Sequence, residues 1–304
     1  MPATRFEASI AAPGPGVQGS RLYLWHAPES APARALVVFV HPFAEEMNKS
    51  RRMAALQSRC LASAGIAVLQ ADLLGCGDSS GELSSATWAD WVDDVVAACA
   101  RARAAHASRW PAAPPPPLWL WGLRAGCLLA AEAAARLDCA CDLLFWQPAM
   151  QGKTVLQQFL RLKTAGALMG KSGNTSAETP RQTLAAGHRL DVAGYGLGPE
   201  LAAGLESARL LPPPRGGRLV WIEIAVNADG TPSPAAAAAM PAWTNAGWLV
   251  RQRSVAGPQF WQTTEVEEAP ELIAATVQAL SLDAWLPQRT DRVAPGTPAR
   301  VVAL

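Results

Sequence analysis

Apolar positions along this chain alternate between two spacings. Residues 35–40 (Ala-Leu-Val-Val-Phe-Val) form an unbroken apolar run, the pattern of a strand buried on both faces. Residues 66–70, 118–121, 143–146, 219–226 and 248–255 carry the same signal, and 21–26 read as an early edge strand. Helical periodicity fills the gaps. One helix spans 50–64, with Ser50 as its cap and Gly65 as its stop. Another spans 88–104, with Asp90, Asp93 and Asp94 near its start, where negative charge suits the helix dipole. Further helices begin at Arg124 and cover 234–246 and 269–280. The proline-rich stretch 111–117 reads as a surface connection.

Strands alternating with helices predict an α/β fold with a mostly parallel sheet flanked by helices. The pattern changes at residues 151–207, which are helical, polar and glycine-punctuated, with no clear strand. They predict a helical cap inserted into a core made of 1–150 and 208–282, with 283–304 as a loosely ordered tail.

Half of the 304 residues are hydrophobic and 17% are charged, enough to bury a large core around an inserted cap. The net charge of +1 gives no case for nucleic acid as a partner. Twelve tryptophans are expected mostly in the core, with a minority around a pocket. Six cysteines show no zinc or C-x-x-C spacing and read as free core thiols, so no metal or cofactor is expected. No signal peptide and no membrane-length apolar run is visible, which reads as a reduced, cytoplasmic protein.

The chemistry centres on Gly122-Leu123-Arg124-Ala125-Gly126, where the 118–121 strand meets the next helix. A G-x-S-x-G sequence on such a turn is the nucleophile elbow of an α/β-hydrolase, which lifts a serine hydroxyl above the sheet. Here the glycines remain and arginine takes the serine position. A guanidinium donates hydrogen bonds and is no nucleophile. Asp72-Leu73-Leu74-Gly75-Cys76-Gly77-Asp78-Ser79-Ser80-Gly81 resembles the D-x-x-G-x-G-x-S-x-G turn of the same fold and reads as scaffold.

His41-Pro42-Phe43 follows the first buried strand, where such folds supply an oxyanion N–H. Pro42 lacks an N–H, so the residual hole is Phe43 N–H with Ala125 N–H. His41 is either part of an anion pocket or a structural loop residue. Glu45, Glu46, Asn48, Lys49, Ser50, Arg51 and Arg52 then either line a pocket mouth or form a solvated helix start.

A triad acid belongs after the 219–226 strand, where Asp229 stands, and a histidine belongs in the loop 256–264. That loop carries Phe260 and Trp261 and no histidine; the chain's four are His26, His41, His106 and His188. A Ser-Asp-His triad in the usual order is therefore not available. Cys127 has no histidine placed to activate it. Arg124 either makes the elbow an anion-binding site, using the free N–H groups of a helix start, or pairs internally with Asp72, Asp229 or Glu265.

At this point the chain resembles the α/β-hydrolase-like "hydrolase 2, exosortase A system-associated" family over about residues 4–281. The resemblance is carried by His41-Pro42-Phe43-Ala44-Glu45-Glu46-Met47-Asn48-Lys49-Ser50-Arg51-Arg52, the Gly122-Leu123-Arg124 turn, and Trp146-Gln147-Pro148 leading to Gln157-Gln158-Phe159-Leu160-Arg161. Asp191-Val192-Ala193-Gly194-Tyr195 and Phe260-Trp261-Gln262-Thr263 add to it. It implies a bacterial protein that accompanies exosortase, PEP-CTERM sorting and exopolysaccharide synthesis.

Two functional expectations follow. One is a pseudoenzyme that binds an anionic or acylated ligand, or a protein partner, in a pocket near His41, Phe43, Arg124, Ala125, Asp229 and Trp261. The other is a hydrolase or acyl transferase on an ester or thioester, working by an atypical mechanism, with Asp229, Glu265 or Glu267 as base.

Overall fold

The computed structural model describes residues 3–14, 17, 19–168, 179–225, 231–281 and 302–303. Among the described residues the central sheet has nine strands: β1 (Thr4–Ala11), β2 (Arg21–Pro28), β3 (Ala35–Val40), β4 (Ile66–Ala71), β5 (Leu118–Leu123), β6 (Asp142–Trp146), β9 (Arg218–Ala225), β10 (Leu249–Ala256) and β11 (Val302–Ala303). Their order is β1-β2-β4-β3-β5-β6-β9-β10-β11. The pairs β1–β2 and β2–β4 are antiparallel, and every later pair is parallel. The 21–26 segment is thus an inner strand, and the edge belongs to β1, whose residues are nearly all exposed.

All six residues of β3 are buried, and their period of two sorts them into two cores. Leu36, Val38 and Val40 join the layer that also contains Trp91 and Val95 of helix α2 (Trp88–Arg109) and Leu128 and Leu129 of helix α3 (Gly126–Arg136). Ala35, Val37 and Phe39 join the opposite layer, with Met53 and Leu61 of helix α1 (Glu45–Ser63) and Leu272 of helix α8 (Pro270–Ala279). Trp91, Trp121, Trp146, Trp221, Trp243 and Trp261 are all fully buried.

Helix α1 starts at Glu45, five residues before the expected cap. Ser50 lies inside it, its hydroxyl donating to the Glu46 and Met47 carbonyls. Helix α2 is closed by a capping box: Thr87 accepts from Asp90 N–H at 3.1 Å while Asp90 accepts from Thr87 N–H at 2.9 Å. Asp94 does not serve the helix dipole. It is buried against Arg21, whose Nε donates to it at 2.8 Å.

Between β6 and β9 the chain builds helix α4 (Gly152–Leu168), helix α5 (Pro180–Ala185), a hairpin of β7 (Leu190–Val192) and β8 (Tyr195–Leu197), and helix α6 (Pro199–Ser207). The hairpin corrects the expectation that this stretch lacks strands. Its turn residues Ala193 and Gly194 have φ of 52° and 86°, the two positive values of a type I′ turn. The insertion rests on the core through Asn48, which donates to Tyr195 Oη at 2.8 Å, and through α6, where a Cβ on Gly204 would meet Trp88 at 2.3 Å. Helix α7 (Pro234–Asn245) links β9 to β10. Most of the 283–304 tail lies outside the described residues, while Val302 and Ala303 pair beside Arg251 and Gln252 of β10. Among the described residues no helix is long and apolar enough to cross a membrane.

Candidate functional site

The β5–α3 turn is as tight as its two glycines allow. A Cβ on Gly122 would lie 2.6 Å from Cys127 Cα, and one on Gly126 would lie 2.1 Å from the Val40 carbonyl oxygen. Between them Arg124 adopts φ 55°, a left-handed conformation that costs a non-glycine residue about 1–3 kcal/mol. The surroundings enforce it. Arg124 N–H donates to Trp146 O at 3.1 Å, and the Arg124 carbonyl accepts from Cys127 N–H at 3.1 Å and Ala149 N–H at 3.2 Å. The turn therefore has the shape of a nucleophile elbow and presents a guanidinium.

That guanidinium is held from three sides. Its Nε donates to Glu46 Oε1 at 3.2 Å, and its Nη2 donates to Gln158 Oε1 at 3.1 Å. Its central carbon lies 5.7 Å from the centroid of the Trp261 ring. The side chains of Arg124 and Glu46 are only 13% and 16% exposed, which makes this a largely desolvated pair. Burial raises the Glu46 carboxyl above its ordinary range, and the Arg124 charge opposes the rise. The second oxygen of Glu46 is buried without a hydrogen-bond partner among the described residues.

Glu46 is thus the partner of Arg124 among the described residues, where the sequence offered Asp72 and Glu265. Asp72 pairs with Arg51 at 2.9 Å and accepts from Asp78 N–H at 3.1 Å. Glu265 is exposed, and Asp229 lies outside the described residues.

His41 and Phe43 separate in role. The His41 ring is buried, with Nδ1 donating to Pro42 O at 2.8 Å and Nε2 accepting from Leu73 N–H at 3.4 Å. Burial holds its pKa below the ordinary value, so the neutral ring ties the β3 loop to the Asp72 turn and does not reach the cleft beside Arg124. Phe43 does line that cleft. Its ring meets Phe159 of α4 edge-on, with centroids 5.1 Å apart. The N–H groups of Phe43 and Ala125 donate to no acceptor among the described residues.

The cleft encloses about 340 Å³ between α1, α4 and the loop after β10. Phe43, Val155, Phe159, Leu162 and Trp261 make its walls apolar, and Glu45, Lys49, Arg161 and Gln262 supply polar groups. Lys49 is engaged by Glu45 at 2.6 Å. Arg161 is exposed and has no ion-pair partner among the described residues. A second hollow of about 280 Å³ opens on the other side of Arg124, and Val155 and Gln158 line both. Gln158 and the α4 wall were not singled out as site residues from the sequence. The Gln157-Gln158-Phe159 run was their only signal there.

The acid candidate Asp229 lies outside the described residues, and the neighbouring positions that are described hold the following groups. Near the end of β9, both Glu223 oxygens are taken by Ser233, one by its hydroxyl at 2.7 Å and one by its N–H at 2.9 Å, capping α7. After β10 the buried Trp261 stands beneath Arg124. Cys127 is fully buried with its thiol pushed well above its ordinary pKa by desolvation, which denies it the thiolate form a nucleophile needs. Among the described residues no group of three or more His, Cys, Asp or Glu side chains is arranged to hold a metal ion.

The sequence profile of the serine aminopeptidase S33 family matches residues 31–184. No curated protein is significantly similar to the chain in sequence. Solved structures share its fold at low identity. Est1E from Butyrivibrio proteoclasticus, solved with ferulic acid bound, superposes with a TM-score of 0.57 at 16% identity, over 86% of this chain and 93% of that one. XC6422 from Xanthomonas campestris, described as a serine hydrolase without a lid, gives 0.51 at 17% identity over 96% and 97%. Alpha/beta hydrolase domain-containing protein 10 from mouse gives 0.50 at 12% identity over 89% and 95%. The mostly parallel sheet, its flanking helices and these likenesses make the fold that of an α/β-hydrolase.

Proposed function

The chain belongs to the serine aminopeptidase S33 family, and on that premise we propose that it is a non-catalytic member, a protein that binds an acylated, anionic ligand in the exosortase A and exopolysaccharide system. The observation that carries the proposal is the guanidinium at the elbow, neutralised by Glu46 and braced by Gln158. A nucleophile is missing, and so is a histidine after β10 to activate one. Removing a serine triad lowers turnover by up to about a million-fold. Resemblance to the exosortase-associated proteins, in the 41–52 and 260–263 stretches, supports the cellular setting.

The cleft supports the ligand class. Its apolar walls suit an acyl chain, and Arg161 at the rim suits a carboxylate or phosphate head. The N–H groups of Phe43 and Ala125 are suited to a carbonyl oxygen. Arg124 serves this site as a brace between the elbow, α1 and α4, since its charge is already compensated.

Isothermal titration with a medium-chain acyl-CoA and with the matching free fatty acid tests the reading. Saturable binding of either, weakened at least tenfold by Arg161→Glu, supports it. Absence of binding by folded protein refutes the ligand class.

A second reading, hydrolysis or acyl transfer on an ester or thioester by an atypical route, rests on the unpartnered oxygen of Glu46 beside the cleft, a carboxyl whose proton affinity is raised by burial. It requires turnover that Glu46→Gln abolishes. Glu265 and Glu267, bases considered from the sequence, are exposed and do not line the cleft.

A further inference from the structure

The open edge of the sheet is unusual in its length and composition. Strand β1 runs eight residues, Thr-Arg-Phe-Glu-Ala-Ser-Ile-Ala, and among the described residues pairs only with β2. Phe6 and Ile10 are 59% and 62% exposed, on the same side as Ala8. A long exposed strand with apolar side chains is a template for pairing with another strand.

The phase of its hydrogen bonds is fixed by one contact. Glu29 N–H donates to the Ala3 carbonyl at 3.1 Å, which makes that residue pair hydrogen-bonded in the β1–β2 register. Odd-numbered residues of β1 therefore turn their backbone groups toward β2. Thr4, Phe6, Ala8 and Ile10 turn theirs toward the open edge.

A second copy of β1 added antiparallel, with its two-fold axis normal to the sheet, has few symmetric registers. Centred on Glu7, it sets Glu7 against Glu7, and like charges directly opposite are unfavourable. Centred on Phe6, it sets Ile10 past the first residue of the partner strand, Thr4, so that Ile10 has no opposite number in β1. Centred on Ala8, it sets Phe6 against Ile10 twice around an Ala8–Ala8 pair, so that the whole apolar stripe meets its own copy. In this register Glu7 lies opposite Ser9. Ser9 accepts a hydrogen bond from Arg101 at 3.2 Å, so Glu7 of one copy approaches the Arg101 guanidinium of the other. Apolar match, backbone phase and charge agree in that register.

We propose that the protein forms a two-fold dimer through β1, centred on Ala8, with one sheet continuous through both copies. The dimer stands apart from the cleft and does not depend on what that cleft binds.

Sedimentation equilibrium of the purified full chain tests it, on wild type, Ala8→Pro and Ile10→Lys. Proline is tolerated at position 8 because that N–H faces outward. The expected result is a dimer for wild type and monomers for both variants, with unchanged circular dichroism. Ala8→Cys in a Cys60→Ser background reports the register, since Cys60 is the exposed thiol. Opposed residues in a hydrogen-bonded pair have Cα atoms about 5.5 Å apart, within disulfide reach. Mild oxidation is expected to crosslink Ala8→Cys and to leave Glu7→Cys uncrosslinked. A wild-type monomer at the highest soluble concentration overturns the proposal. So does a dimer that survives both edge variants, or crosslinking through position 7 in place of 8.

Discussion

Replacing Arg124 with Met keeps a straight side chain at the same positive φ, so the backbone strain is common to both proteins, while Glu46 loses its partner. Two unit charges about 4 Å apart at an effective dielectric of about 20 attract by about 4 kcal/mol. Breaking a buried pair by removing one member costs about 3–5 kcal/mol. The 13% and 16% exposure of the two side chains places this pair near the lower figure. We expect a loss of about 3 kcal/mol at neutral pH, or about 1 M in urea midpoint for a chain of this size with a slope of about 3 kcal/mol/M.

The sign with pH follows from Glu46. Its folded pKa is raised by burial, so between the unfolded and the folded values the folded state holds a proton that the unfolded state has released, and above that window Glu46 is the charged partner of Arg124. Its contribution to stability is therefore full below the unfolded carboxylate value and is lost as pH rises through the folded one. Without Arg124 the folded pKa rises further, so the gap between Arg124→Met and wild type widens from about pH 5 to about pH 7.5. Adding Glu46→Gln to Arg124→Met removes the orphaned charge and recovers most of the loss at the higher pH. Urea unfolding of wild type, both single variants and the double variant at the two pH values measures this. A gap below about 0.5 kcal/mol at neutral pH, or one that is the same at both pH values, refutes the claim that Glu46 is a buried charge held by Arg124.

Three further outcomes are expected. Arg21→Met, which strands Asp94 in a pair only 3% and 5% exposed, costs about 4 kcal/mol in urea unfolding, more than Arg124→Met. Gly126→Ala drives a methyl group onto the Val40 carbonyl, 2.1 Å away, and lowers soluble yield or thermal midpoint far more than the same change at Gly14, where a Cβ would meet nothing closer than 4.0 Å. Iodoacetamide at neutral pH labels exposed Cys60 on the native protein and leaves buried Cys127 unmodified by mass spectrometry, until denaturant is added.

The strands buried on both faces were legible because burial writes an unbroken apolar run. Residues 35–40 coincide with β3 for that reason. Strand β1 was not, because nearly all of its residues are exposed and its mixed residues carry no burial signal. The β7–β8 hairpin was hidden by its three-residue strands and by an Ala-Gly turn where Asn-Gly would have announced a type I′ geometry. The elbow was legible from its glycines, and the structure gives Arg124 the left-handed backbone such a turn requires. Its partner was not. Reading Ser50 as the helix cap left Glu46 in a loop, whereas α1 begins at Glu45 and sets Glu46 beside the elbow. Gln158 reaches Arg124 from α4, a contact across 34 positions that no local pattern encodes.

The central claim is that this α/β-hydrolase fold binds without turning over. The most direct measurement is turnover by folded, purified protein on p-nitrophenyl esters and acyl-CoA thioesters of graded chain length, with Arg124→Ala and Asp229→Ala in parallel. The account predicts no hydrolysis above background for any of the three proteins. Hydrolysis by wild type that either substitution abolishes would contradict it.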